Sequence, residues 1–76
     1  MLRLVLYTGP DCHLCNDALD VIAQLKQPVM VEKVNIRDST ELYHLYGARI
    51  PVVKRKDTGA ELGWPFNVDS LEQYIK

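Results

Sequence analysis

The stretch Leu2-Arg3-Leu4-Val5-Leu6-Tyr7-Thr8-Gly9-Pro10-Asp11-Cys12-His13-Leu14-Cys15 decides how this chain is to be read. Leu2 to Tyr7 is nearly continuous in apolar character, as expected of a strand buried on both faces of a parallel sheet. Thr8-Gly9-Pro10-Asp11 carries the residues of a turn. From His13 to Lys26, apolar residues recur at Leu14, Ala18, Leu19, Ile22 and Leu25. That spacing predicts one face of a helix, with Asp11 or Cys12 in its N-cap region, Lys26 in its last turn and Pro28 as its stop. The only two cysteines therefore fall at a strand-to-helix junction with two residues between them. That is the pattern of a thiol–disulfide redox site.

Outward from this junction, Val29 to Ile36 is rich in Val and Ile and predicts a second strand. Its phase is imperfect, because Glu32 shares a face with Met30, Val34 and Ile36. Asp38-Ser39-Thr40-Glu41 has the form of a capping box. It opens a short helix with Leu42, Leu45 and Tyr46 inward, closed by Gly47 at the C′ position. Val52 to Arg55 and Ala60 to Gly63 predict two short strands joined by a turn at Asp57-Thr58-Gly59, a hairpin. Asn67 caps a last helix with Val68, Leu71, Tyr74 and Ile75 on its inner side. The order is β-α-β-α-β-β-α. Strand, helix, strand implies a parallel pair with a right-handed crossover. The hairpin adds antiparallel pairing, which makes an α/β fold with a mixed four-stranded sheet flanked by helices. Residues 1–76 read as a single domain without repeats or linkers.

At 76 residues the chain is small, burying only about 60% of its unfolded surface. Hydrophobic residues make up 47% and charged residues 25%, the balance of an ordinary globule. The net charge of -1 implies no basic face, so nucleic acid is not an expected partner. No apolar stretch approaches the ~20 residues of a membrane span, and the N-terminus is too short in apolar residues for a signal-peptide core. The expected compartment is the cytoplasm, where structural disulfides are rare.

Residues three apart in a helix face the same way, with Cβ atoms about 5–6 Å apart. Small adjustments bring Cys12 and Cys15 within disulfide geometry. At the helix start Cys12 meets unpaired N–H groups and the positive end of the dipole, which lower its pKa. Asp11 opposes that effect through its charge, and His13 assists it if the imidazole donates to sulfur. Cys15, one turn in, is expected to be more buried and more basic. Cys12 is therefore the expected nucleophile and Cys15 the resolving thiol. As a structural staple the four-residue loop gains only about 2 kcal/mol. A zinc site needs four ligands, and Cys12, Cys15 and His13 supply at most three, so no metal site is expected. C-type haem is excluded, because Asn16 rather than His follows Cys15. Two alternatives stay open. One is an iron–sulfur or metal carrier using Cys12, and the other an adaptor with this fold and no turnover.

At this point the chain resembles the thioredoxin-like superfamily, and glutaredoxin-like proteins in particular. Cys12-His13-Leu14-Cys15 after the first strand is one motif. The other is Tyr46-Gly47-Ala48-Arg49-Ile50-Pro51-Val52, similar to the Tyr-Gly-x-Arg-x-x-Pro segment of thioredoxins but one residue shorter. The element order matches the compact glutaredoxin form along essentially the whole chain. Cys-His-Leu-Cys and Trp64-Pro65-Phe66 are similar to a small bacterial glutaredoxin-like group. The resemblance implies a thiol–disulfide oxidoreductase serving cell redox homeostasis. It also implies a redox-active Cys12–Cys15 disulfide and a cis Ile50–Pro51 bond facing it, with the Ile50 backbone pairing with the substrate chain.

The departures narrow what is carried over. The chain has neither the Cys-Pro-Tyr-Cys of glutaredoxins nor the Trp-Cys-Gly-Pro-Cys of thioredoxins. Where glutaredoxins have Gly-Gly and an acidic residue that hold glutathione, it reads Gly63-Trp64-Pro65-Phe66-Asn67. Glutathione is thus not carried over with the fold, and no bound cofactor is required. The expected partners are a disulfide-containing protein or small thiol and an unidentified reductase, with no membrane and the chain a monomer. Ile50, Pro51, His13 and Trp64 are the substrate-binding candidates. For Trp64 the competing reading is that it and Phe66 pack the last helix onto the sheet. Tyr7 reads as packing, Arg49 and His44 as surface residues, and Lys54-Arg55-Lys56 as a solvated hairpin end.

Overall fold

Leu4 and Leu6 leave the first strand on one side, Val5 and Tyr7 on the other, and all four are buried. Both sides must therefore be covered, and the remaining elements do so. A computed structural model describes residues 2–10 and 12–76. It contains β1 (Leu2–Thr8), α1 (His13–Ala23), β2 (Val29–Asn35), a 3-10 turn (Ile36–Asp38), α2 (Thr40–Tyr46), β3 (Val52–Arg55), β4 (Glu61–Gly63) and α3 (Val68–Tyr74). The sheet order is β2-β1-β3-β4. β1 and β2 are parallel from Leu2↔Val29 to Thr8↔Asn35. β3 runs antiparallel to β1 and to β4. This is the thioredoxin-like α/β fold. Ala18 and Ile22 of α1, with Leu71 of α3 and Ile75 just beyond it, pack on Leu4, Leu6 and Val53. On the opposite face Ile36 and Tyr46, with Leu42 beside them, pack on Val5, Tyr7 and Val52.

Several element boundaries and faces differ from the sequence reading. α1 ends at Ala23, short of Lys26. The Gln24 and Leu25 N–H groups turn back to the Val21 and Ile22 carbonyls, both at 3.1 Å, and close the helix early. Its buried stripe is Cys15, Ala18 and Ile22. Leu14 is rotated about 100° from Cys15 and is exposed. β2 stops at Asn35, whose Oδ1 accepts the Arg37 N–H at 2.9 Å and starts the 3-10 turn. Ile36 is thereby buried as part of that turn and not of the strand. Ser39 is the N-cap of α2, its Oγ accepting the Leu42 N–H at 3.4 Å. Leu42 and Tyr46, four apart, form the inward line of α2, and Leu45 is exposed. Gly47 is not a left-handed C′ residue. It stays right-handed (φ -51°, ψ -36°) and donates to the Tyr43 carbonyl. A Cβ on Gly47 would sit 2.5 Å from that carbonyl oxygen, so close approach is what demands glycine here.

The hairpin end is also not merely solvated. Arg55 makes a bidentate pair with Asp57 and donates through Nη1 to the Tyr74 and Lys76 carbonyls. It ties the end of α3 to the hairpin, and its guanidinium holds the Asp57 carboxyl below the usual carboxylate range. Lys56 pairs with Glu32 at 2.9 Å, which keeps that out-of-phase carboxylate at the surface of β2. Gly59 takes the left-handed conformation (φ 78°) that the hairpin turn needs.

Candidate active site

The turn leaving β1 delivers Cys12 to the start of α1. Cys12 is extended (φ -94°, ψ 97°) and is the N-cap itself: its Sγ accepts the Cys15 N–H at 3.2 Å. A sulfur thus does what a Ser or Asp oxygen commonly does at this position. Asp11, the other candidate for this cap and the charge expected to oppose a Cys12 thiolate, lies outside the described residues. Cys12 and Cys15 are joined by a disulfide with Cα atoms 5.3 Å apart. Cys12 is half-buried, whereas Cys15 is 4% exposed and belongs to the buried stripe of α1. The sulfurs are therefore unequally accessible, the outer one at the helix end.

The segment after α2 approaches the same turn. Arg49 and Ile50 donate to the Tyr46 carbonyl at 2.7 and 3.1 Å, and Pro51 is buried. The Ile50–Pro51 bond is cis. A Cβ built on Gly9 would meet Ile50 Cδ1 at 2.8 Å, so the Ile50 side chain rests on the turn that leads to Cys12. The Trp64 N–H donates to the Pro51 carbonyl at 3.1 Å. Trp64–Pro65 is a second cis bond, which the sequence reading did not anticipate. Phe66 is buried in the core under α1 and α3. Trp64 packs half-buried at its margin, edge-to-face on Phe66 with centroids 5.0 Å apart.

A cleft of about 370 Å³ opens beside the disulfide, lined by Thr8, Cys12, His13, Cys15, Asn16 and Lys33 among others. Of the substrate-binding candidates only His13 lines it; Ile50, Pro51 and Trp64 do not. Lys33 is the residue that sequence reasoning missed. It pairs in register with Leu6, on the face where Val29 and Val31 meet the α1 core. The alternation Val29, Val31, Lys33 was the available signal, since it places a lysine where an inward residue is due.

Tyr7 stacks on Tyr46, with centroids 4.4 Å apart, and the Arg49 guanidinium lies 5.8 Å above the Tyr46 ring. The Tyr46 hydroxyl donates to the Glu61 carboxylate, and that bond raises its pKa well above the ordinary phenol value. These contacts make Tyr7 a packing residue and give Arg49 a partner. Among the described residues, no three His, Cys, Asp or Glu side chains come together as a metal site. No helix among them is long and apolar enough to cross a membrane.

The glutaredoxin-like domain family (DUF836) matches residues 3–76. The crystal structure of protein XcR50 from X. campestris is similar at 38% identity and a TM-score of 0.84, covering 95% of this chain and 93% of that one. Its solution structure gives 37% identity and a TM-score of 0.83, covering 99% and 92%. The solution structure of protein Ne2328 from Nitrosomonas europaea gives 26% identity and a TM-score of 0.74, covering 96% and 89%. None of the curated proteins matches the chain significantly.

Proposed function

The chain belongs to the glutaredoxin-like domain family, and from that premise we propose that it is a thiol–disulfide oxidoreductase. In the reduced protein the Cys12 thiolate attacks one sulfur of a substrate disulfide, which expels the first substrate thiolate and leaves a mixed disulfide on Cys12. The Cys15 thiolate then attacks the Cys12 sulfur, the second substrate thiol leaves, and the Cys12–Cys15 disulfide closes. The two cysteine protons end on the two thiols released. The observation that carries this reading is the unequal disulfide, with Cys12 at the N-cap of α1 and Cys15 buried one turn in. An N-terminal helix end favours thiolate, and a buried thiol resists ionisation.

The magnitudes say where tuning acts. Lowering a thiol from pKa ~8.5 to ~6 raises its thiolate fraction at pH 7 from about 3% to about 90%. Weaker nucleophilicity offsets roughly tenfold of that gain, so attack speeds up only a few-fold. The larger effect is on Cys12 as a leaving group, wherever an incoming thiolate attacks the sulfur bonded to it, and on the stability of the reduced form. In this reading Ile50 and Pro51 receive the substrate chain, with His13 and Trp64 beside it. The partner is a disulfide-bearing protein or small thiol, the protein works as a cytoplasmic monomer, and no bound cofactor is required.

The test is turnover of a small neutral disulfide by wild type, Cys12→Ser and Cys15→Ser. Cys12→Ser is expected to abolish reduction, and Cys15→Ser to halt at a mixed disulfide visible by mass spectrometry. Equal rates for wild type and Cys12→Ser would end the enzyme reading. Supplying glutathione with its reductase, then thioredoxin reductase, identifies the electron donor.

A further inference from the structure

We propose that the cleft beside the disulfide is an anion subsite, in which Lys33 holds a carboxylate of a small disulfide substrate while Cys12 attacks its sulfur. This rests on the redox reading above and adds a substrate class to it. The strand alternation sets Lys33 on the α1 side of the sheet, with Val29 and Val31 in the core on the same side. Lys33 in that place lines the same cleft as Cys12 and Cys15. Among the described residues Lys33 has no ion-pair partner; Glu32, on the opposite face of β2, pairs with Lys56.

The other described residues of the cleft are neutral or basic. Asn16, His13 and Thr8 offer hydrogen-bond donors, and among the described residues lining the cleft none is acidic. α1 has no acidic residue in its first turn. The volume, about 370 Å³, is that of a small-molecule site. A carboxylate a few bonds from the disulfide sulfur would reach Lys33 while that sulfur lies at Cys12. A substrate with an ammonium there would be repelled. The chemistry is the dithiol–disulfide exchange already written: the protein dithiol is oxidised, the substrate disulfide is reduced to two thiols, and no other reductant enters.

The experiment is single-turnover oxidation of the pre-reduced full chain without oxygen, using three disulfides of similar size. Dithiodipropionate is dianionic, bis(hydroxyethyl) disulfide is neutral and cystamine is dicationic. Each rate is divided by that of free dithiothreitol with the same probe, which removes intrinsic reactivity. The readout is the ratio of the dithiodipropionate rate to the neutral rate. Lys33→Gln is expected to lower this ratio about tenfold, the loss of one charge-assisted contact, and to raise the relative cystamine rate. Lys33→Arg is expected to keep the wild-type ratio. An unchanged ratio in Lys33→Gln overturns the subsite and leaves the redox reading standing. A protein that none of the three probes oxidises overturns the redox reading and the subsite with it.

Discussion

Cys12 opens a helix and closes a disulfide with the same sulfur atom, and this dual use sets its chemistry apart from that of Cys15. In the reduced protein, alkylation followed against pH is expected to give Cys12 the lower apparent pKa; the reverse order would exchange the two roles. A second titration belongs to Tyr74, whose hydroxyl donates to the Ala60 carbonyl at 2.6 Å and the Val53 carbonyl at 3.3 Å. Burial pushes its pKa from 10.0 up to about 12. The unfolded chain loses this proton first, so the stabilisation is complete below about pH 10 and is lost as pH rises through about 12. Thermal unfolding across that window should show a falling midpoint, with a shallower fall in Tyr74→Phe. At this scale the cysteine pair was legible because both partners lie in one turn of sequence. Lys33 and Arg55 were not, since each meets its neighbours only after the chain has folded back: Lys33 at the cysteines, Arg55 at the end of α3.

At the scale of elements, the two later helices depend on side-chain caps. Asn67 Oδ1 accepts the Ser70 N–H at 2.8 Å, and Ser39 Oγ accepts the Leu42 N–H at 3.4 Å. Asn67→Ala and Ser39→Ala should each cost about 1 kcal/mol in urea unfolding, with Ser39→Ala at the smaller end given its longer bond. The Asn67 cap was readable, because a capping residue acts within three positions; at α2 the Asp38-to-Glu41 box lies one residue early, and Ser39 takes the cap. The inner faces were read less well. Leu14 and Leu45 have apolar side chains at plausible helical spacing, yet Cys15 and Tyr46 take the inward positions and leave both exposed. In β2 one inward face was sought, whereas an edge strand under two cores uses both: Val29 and Val31 face α1, and Val34 faces α2. Periodicity shows that a face exists; which neighbours cover it is decided by elements distant in sequence.

At the scale of the whole molecule, stability is limited by size. Typical values per residue give a 76-residue chain only about 4–11 kcal/mol. Leu6 is fully buried in β1, and Leu6→Ala should cost about 2–5 kcal/mol, a large share of the total, measurable as a lower denaturation midpoint at unchanged slope. The fold was legible at this scale because each strand run and helix stripe agrees with one sheet order, and the family match over residues 3–76 accords with it.

The central position of β1 has a consequence for motion. It is hydrogen-bonded on both sides and contributes side chains to both cores, while β4 is a three-residue edge strand. In native-state hydrogen exchange the Leu4 to Tyr7 amides should open only with global unfolding, and those of β4 through cheap local fraying. The redox cysteines therefore follow directly from the last segment to come apart. Catalysis would be mounted on the slowest-exchanging part of the protein, leaving the outer hairpin to breathe without disturbing it.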